Sequence, residues 1–363
     1  MTGAKPLSSL SRTLFALLAA VLLALIILAL SAISAPSGRQ AGFFEMASHF
    51  FITPFSNPYF FGNLLADSVP LMIAGLGILI AFNSRNFNLG GEGQIYSGAL
   101  AAVVVVLAIQ EHASPVAVWI LGACAGLATG AVLGGLAGIL KAVWRISEMI
   151  SSFLLSAIAI AVTDFLVAGP LQDPNSNFQT TREIAPRLLL PGILQPSKLD
   201  VSLFAAILLI AAAGFAGKRS RIGFELRICG ENEEFARYCG IRVPAYQAGA
   251  MAVSGAMHGL AGALLVIGLQ GRLIRGFSGG LGWSAITVAL LAQNSEAGII
   301  PAALFIAFLK SGSDQIMIGS GLPSEIAALL QAAIMLVITM QTIPLVRRMK
   351  NKPAGAVQKR GSP

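Results

Sequence analysis

Phe87-Asn88-Leu89-Gly90-Gly91-Glu92-Gly93-Gln94 stands between two long apolar runs. A carboxylate, two amides and three glycines at the edge of hydrocarbon are costly, and ionisable groups at membrane depth face a cavity or a partner. Reading outward, the chain is apolar almost everywhere else. Of 363 residues, 56% are hydrophobic and 11% charged, against about 25% charged in a soluble domain. The pattern predicts an all-α polytopic membrane protein.

Ten apolar segments can be marked, at 14–34, 62–82, 92–110, 115–139, 148–168, 201–217, 245–269, 281–293, 297–312 and 323–345. The first follows Lys5 and Arg12 and ends in small residues, like a signal peptide. It exceeds the roughly 7–15 residues of a signal core, so it is read as an uncleaved span. The segments at 281–293 and 297–312 are short for full spans and are expected to form a re-entrant or tilted pair.

Loop charge sets the expected orientation. With the N-terminus in the cytoplasm, seventeen of the 24 lysines and arginines fall on the cytoplasmic side. The transmembrane domain is then 1–346, with a cytoplasmic loop at 218–243 and a proline-rich external loop at 169–200. Residues 347–363 form a basic cytoplasmic tail, suited to anionic lipid. The net charge of +8 belongs to these loops, which argues against nucleic acid as a partner.

Gly122, Gly126, Gly130, Gly134 and Gly138 recur every four residues and predict a close helix–helix seam. Gly90-Gly91-Glu92-Gly93 is echoed by Gly279-Gly280-Leu281-Gly282. By span count the two phrases begin from opposite faces, the pattern of an inverted repeat with a path between its halves.

Enzymatic chemistry has little support. HExxH, GxSxG, paired carboxylates and a Walker phosphate loop are all missing from the sequence, so no catalytic or metal residue is assigned. Cys124, Cys229 and Cys239 form no CxxC pair. His258, in an apolar run, reads as a packing histidine.

Two polar stretches remain. Asn83, Asn86, Asn88, Glu92 and Gln94 offer amides that donate and accept, suited to lining a path for a neutral polar solute. Equally, they form an interfacial loop with Glu92 capping the helix that follows. The second stretch is 223–241. Glu231 to Tyr238 reads as one short amphipathic helix between glycines, with Phe235 and Tyr238 on one face. Such a helix suits a groove on a partner; the bland alternative is a solvated loop helix. Asp67 and Asp164 lie within spans as path residues or structural pairs, and Glu148 is a second cytoplasmic contact.

These stretches resemble the permease subunit of an ATP-binding-cassette importer, in the nucleoside and simple-sugar branch related to ribose and branched-chain amino acid permeases. Phe87–Gln94 is similar to the family phrase FNIGAEGQ, and Gly230–Ile241 to GENPEAARYAGI. Ile286–Leu291 resembles IAVALLG, and Pro323-Ser324-Glu325-Ile326 resembles VPSEI. Departures include Leu89-Gly90-Gly91 for Ile-Gly-Ala, Glu233-Glu234-Phe235 in the coupling phrase, Cys239 for alanine, and Ala292-Gln293 where a glycine step is usual.

The resemblance implies a type II importer fold in a bacterial inner membrane, both termini cytoplasmic. It implies a second permease chain, the same or similar, two cytoplasmic ATP-binding subunits that hold ATP and Mg, and an extracytoplasmic solute-binding protein. Coupling to the ATPases would fall to Gly223, Glu225, Arg227, Gly230, Glu231, Asn232, Phe235, Ala236, Arg237 and Gly240. The expected function is import of nucleosides or related small polar solutes by alternating access, with riboflavin or simple sugars as alternatives. The rival class is a gradient-driven carrier using Asp67, Glu92 and Asp164.

Overall fold

The computed structural model describes residues 42–293 and 295–320, with isolated helical positions within 22–29 and 329–333. The chain divides into a unit of residues 48–315 and a second unit of the two end segments. The sites described below lie in residues 48–315.

The described helices are α1 (Phe43–Phe51), α2 (Pro58–Asn83), α3 (Gly91–Ile109), α4 (Pro115–Trp144), α5 (Glu148–Ala168), α6 (Ser202–Arg219), α7 (Arg221–Glu231), α8 (Glu233–Tyr238), α9 (Val243–Leu264), α10 (Leu281–Leu291) and α11 (Ile299–Ser320). A π-helical turn, Leu265–Gln270, extends α9. Seven of these are long and apolar enough to cross a membrane. Eight of the ten segments marked in the sequence coincide with helices; those at 14–34 and 323–345 lie, but for isolated positions, outside the described residues.

Local chemistry sets the helix ends. Asn57 caps α2 by accepting from Phe60 N at 3.0 Å, with Pro58 at the first helical position. Ser114 and Pro115 begin α4 in the same way. Proline there loses no bond, because the first amides of a helix have no internal partner. Arg145 ends α4 with φ 56°, in the left-handed region.

Helices α2 and α9 form the centre. The α2 span is 83% buried, while α6 is 17% buried and carries its apolar side chains outward. The α4–α9 seam realises the glycine pattern. A Cβ on Gly130 would strike the carbonyl oxygen of Gly255, and a Cβ on Gly126 would lie 2.7 Å from that of Gly259. The small residues let the two backbones touch, so dispersion contacts replace the hydrophobic drive that lipid does not provide.

The pair at 281–293 and 297–312 differs from expectation. Helix α10 has 11 residues, about 16 Å at the α-helical rise, too short to cross. Helix α11 has 22 residues and is long enough. Its continuation past Lys310 is explained by Asp67, which meets the Lys310 ammonium at 3.7 Å and offsets its charge.

Residues 169–200 form an ordered loop with one 3-10 turn, Pro186–Leu188. Trp119 Nε1 donates to Leu188 O at 2.7 Å, and Ile184 N donates to Gly271 O at 2.8 Å. The five prolines exclude one continuous helix.

Candidate substrate path and coupling arm

The chain leaves α2 at Asn83, turns at Arg85 with φ 60°, and runs without regular structure from Asn86 to Gly90. Helix α3 therefore begins inside the bundle rather than at an interface. Gly93 N donates to Ser156 Oγ in the interior of α5 at 2.7 Å. A Cβ on Gly91 would lie 2.6 Å from His258 Nε2, in the interior of α9.

Glu92 does not cap its own helix. Its Oε2 accepts from Gly282 N at 2.7 Å, in the first turn of α10, and its Oε1 accepts from the Ser278 hydroxyl. A carboxylate at a helix N-terminus meets free amides and the positive end of the helix dipole. Gly282 packs so closely on Gly91 and Glu92 that a Cβ would strike the Glu92 backbone. The two echoed glycine phrases thus meet, N-terminus to N-terminus, within the bundle.

The amides near Glu92 are spent internally. Asn88 donates to Gln94 Oε1 and Ser254 Oγ, both at 2.9 Å, and accepts from Gly90 N. Asn86 donates to Gln247 O at 2.8 Å and accepts from Lys141 Nζ at 2.7 Å. Lys141 also pairs with Glu148 at 2.9 Å. These bonds hold the irregular strand where no helical ladder exists. His258 Nδ1 meets Ser254 O at 2.7 Å, while its Nε2 has no partner.

A cavity of about 720 Å³ opens beside Glu92, between α5, the 275–280 turn and α10. Asp164 lines it, with Oδ2 3.5 Å from Arg275 Nε.

The coupling stretch holds two helices where the sequence predicts one. Asn232 ends α7 and caps α8, accepting from Phe235 N at 3.0 Å. Its extended backbone (φ −149°, ψ 100°) breaks the helix there. Gly240, with φ 77°, follows the end of α8. Cys229, Ala236 and Val243 form a small buried core beneath the pair.

Helix α7 is fastened to three spans. A Cβ on Gly223 would lie 2.5 Å from Ala216 O of α6, and one on Gly230 would strike Asn83 O of α2. Glu225 accepts from the Tyr246 hydroxyl of α9 at 2.5 Å and pairs with Arg221 at 2.5 Å. The Tyr246 hydroxyl, then Arg221, hold the Glu225 carboxyl below its ordinary range. Helix α8 instead presents Phe235 and Tyr238, the latter 92% exposed, with Arg237 bonded to Glu233 at 2.6 Å.

Residues 60–339 match the family model described as branched-chain amino acid transport system / permease component. The chain belongs to this permease family. The "Probable riboflavin import permease protein" of Treponema pallidum is 33% identical over 294 residues, covering 80% of this chain and 77% of that one. A glucose ABC transporter permease protein of Haloferax volcanii is 31% identical over 296 residues, covering 79% and 77%. A guanosine ABC transporter permease protein of Bacillus subtilis is 32% identical over 288 residues, covering 78% and 82%. The chain is thus a multi-pass ABC importer permease.

Within the permease, the five residues expected to line a path do not converge. Glu92 faces the cavity, Asn86, Asn88 and Gln94 are buried in the turn, and Asn83 borders a separate apolar space with Glu296. Asp164 and Arg275 join Glu92 instead. Nothing local to Arg275 marks it, because its partners Asp164 and Gln179 lie about a hundred residues away.

Proposed function

We propose that this permease carries a small polar solute inward by alternating access, driven by two ATP-binding subunits that grip α8. Nucleosides are the first candidates, with riboflavin and simple sugars as alternatives, since relatives at 31–33% identity are named for guanosine, riboflavin and glucose. A second permease chain closes the path, and a solute-binding protein delivers to the 169–200 side.

The observation that carries this reading is the fastening of α7. Gly223, Gly230 and Glu225 tie it to α6, α2 and α9, so displacement of α8 moves three spans together. The exposed aromatic pair on α8 suits a groove on a partner. The basic side chains around α7 and α8 favour the cytoplasm of a bacterial inner membrane. ATP and Mg belong to the partner subunits. The three carboxylates that the gradient-driven reading would use each have a partner: Asp67 lies beside Lys310, one oxygen of Asp164 beside Arg275, and Glu92 accepts from Ser278 and Gly282.

The test is copurification with ATP-binding subunits, followed by uptake of labelled guanosine, riboflavin and ribose into proteoliposomes. ATP-dependent uptake that needs those subunits is expected. Uptake by the isolated chain, driven by a gradient alone, overturns the proposal.

A further inference from the structure

The C-terminal ends of α2 and α4 border a second cavity, of about 700 Å³, lined by Arg85, Lys141, Arg145, Glu148, Glu233 and Arg237. Its charges do not balance. Glu148 pairs with Lys141 at 2.9 Å, and Glu233 with Arg237 at 2.6 Å. The side chains of Arg85 and Arg145 have no ion pair or hydrogen bond among the described residues. Two positive charges are therefore left over. Lys141 ties their backbones to one place. Its ammonium donates to the Arg85 carbonyl at 3.3 Å, and its own carbonyl accepts from Arg145 N at 3.0 Å.

The backbone at both arginines is unusual. Arg85 ends α2 with φ 60°, and Arg145 ends α4 with φ 56°. Glycine is the usual residue at such a left-handed helix end, because it has no Cβ to clash. This chain has 39 glycines, yet it places arginine at both ends. Among the described residues, Gln293 is the one other non-glycine residue with positive φ. Such backbone concentrates at functional sites.

Depth in the bilayer narrows the ligand. Helix α4 has 30 residues, about 45 Å at the α-helical rise, the thickness of a bilayer with its headgroup layers. Its last turn, with Lys141 and Arg145, stands at headgroup depth. Apolar side chains are exposed around the same turn: Val143 at 63%, Trp144 at 64%, Ile146 and Ile150. Tryptophan at that depth marks the membrane–water interface. A free anion would meet the arginines but leave these side chains uncovered.

We infer that this cavity binds the phosphate of an anionic phospholipid, with Arg85 and Arg145 as its ligands and its acyl chains against the α4–α5 turn. The guanidinium fork matches two phosphate oxygens, and a basic pocket between spans is the form that headgroup sites take. Glu233 and Arg237 of α8 line the same cavity, so the bound lipid holds the α4–α5 turn beside α8. The inference goes beyond the importer reading. Its test needs neither ATP nor solute, so either can fail while the other stands.

The experiment titrates the purified full chain in detergent with phosphatidylglycerol, phosphatidylcholine or inorganic phosphate. Bound lipid is read by native mass spectrometry. Phosphatidylglycerol is expected to bind and to outcompete phosphatidylcholine, while inorganic phosphate does not displace it. Arg85→Gly and Arg145→Gly each weaken its binding about fivefold, the size of one lost cation at a membrane surface. Both glycine variants keep or raise the thermal midpoint in lipid-free detergent, because glycine accepts the left-handed backbone. Arg182→Gly, which removes the same charge from the 169–200 loop, binds as wild type. Equal binding of the two lipids overturns the inference, as does wild-type affinity in the double glycine variant. A lowered midpoint in both variants makes the arginines structural and overturns it too. Displacement by inorganic phosphate shows a free-anion site instead. If the variants lose copurifying ATP-binding subunits while binding phosphatidylglycerol normally, the face belongs to a protein partner and the inference is wrong.

Discussion

Glu92 accepts a hydrogen bond from the backbone amide of Gly282 at 2.7 Å, joining the first turn of α3 to the first turn of α10. One carboxylate serves the N-terminus of a helix 190 positions later in the chain. Removing it leaves the Gly282 amide and the Ser278 hydroxyl without their acceptor. A charge-assisted bond of this kind contributes roughly 1.5–3 kcal/mol. Glu92→Ala is expected to lower the thermal midpoint in detergent by several degrees, with Glu92→Gln intermediate; a midpoint equal to wild type would show the bond to be dispensable.

The same junction makes Gly282 intolerant of a side chain. Its Cβ would strike Glu92 backbone that cannot yield without parting the two helices. Overpacking of this sort costs about 1–3 kcal/mol. Gly282→Ala should therefore reduce the yield of monodisperse protein, measured by size-exclusion chromatography. Gly249→Ala, where a Cβ meets nothing within 4 Å, is the matched control.

Exposed aromatics on α8 are expected to matter for assembly and not for folding. Phe235 and Tyr238 project from the permease, and surface substitutions away from special features change stability by about 0.5 kcal/mol or less. Phe235→Ala with Tyr238→Ala should keep the thermal midpoint and lose copurifying ATP-binding subunits. Glu231→Ala with Arg237→Ala should uncouple ATP hydrolysis from uptake. Retained copurification, or normal uptake with normal ATP use, contradicts the assignment.

Acid should loosen α7 from α9. The Tyr246 hydroxyl and Arg221 hold the Glu225 carboxyl below its ordinary range. A lowered carboxylate pKa contributes stability above the unfolded value, and that stability is lost as pH falls through the folded value. The difference in midpoint between wild type and Glu225→Gln is expected to be full near neutral pH. It should shrink as pH falls through and below about 4, the ordinary glutamate range. A difference that stays constant with pH would exclude this linkage.

Thiol labelling tests the orientation. Cys239 is exposed just after α8, whereas Cys229 in α7 is buried and its thiol is pushed up, first by burial. A thiol that stays protonated reacts slowly. A membrane-impermeant maleimide should label Cys239 in inside-out vesicles, spare it in intact cells, and reach Cys229 only after denaturation.

Much of the architecture was legible in local pattern. Apolar runs located α2 to α6, α9 and α11, because a span in lipid must satisfy its own backbone and bury its side chains continuously. The four-residue glycine spacing identified the α4 face that receives α9, since that period repeats on one side of a helix. Asn232, a residue type that caps helices, breaks the expected single helix and starts α8. Asparagine caps and helix interiors differ only in backbone angles.

What the sequence by itself determined is therefore composition, periodicity and charge placement: a polytopic helical chain with the phrases of a permease family, a charged loop at 218–243, and two glycine phrases that resemble each other. What only the tertiary structure decided is which groups meet. Glu92 found Gly282, Asp164 found Arg275, and Asn86, Asn88 and Gln94 turned inward to one another and to Lys141, Gln247 and Ser254. Periodicity reports the face of a helix because it is set by neighbours three and four positions away. The partner of a buried polar group is set by how whole helices pack, and many sequences with the same local pattern pair differently.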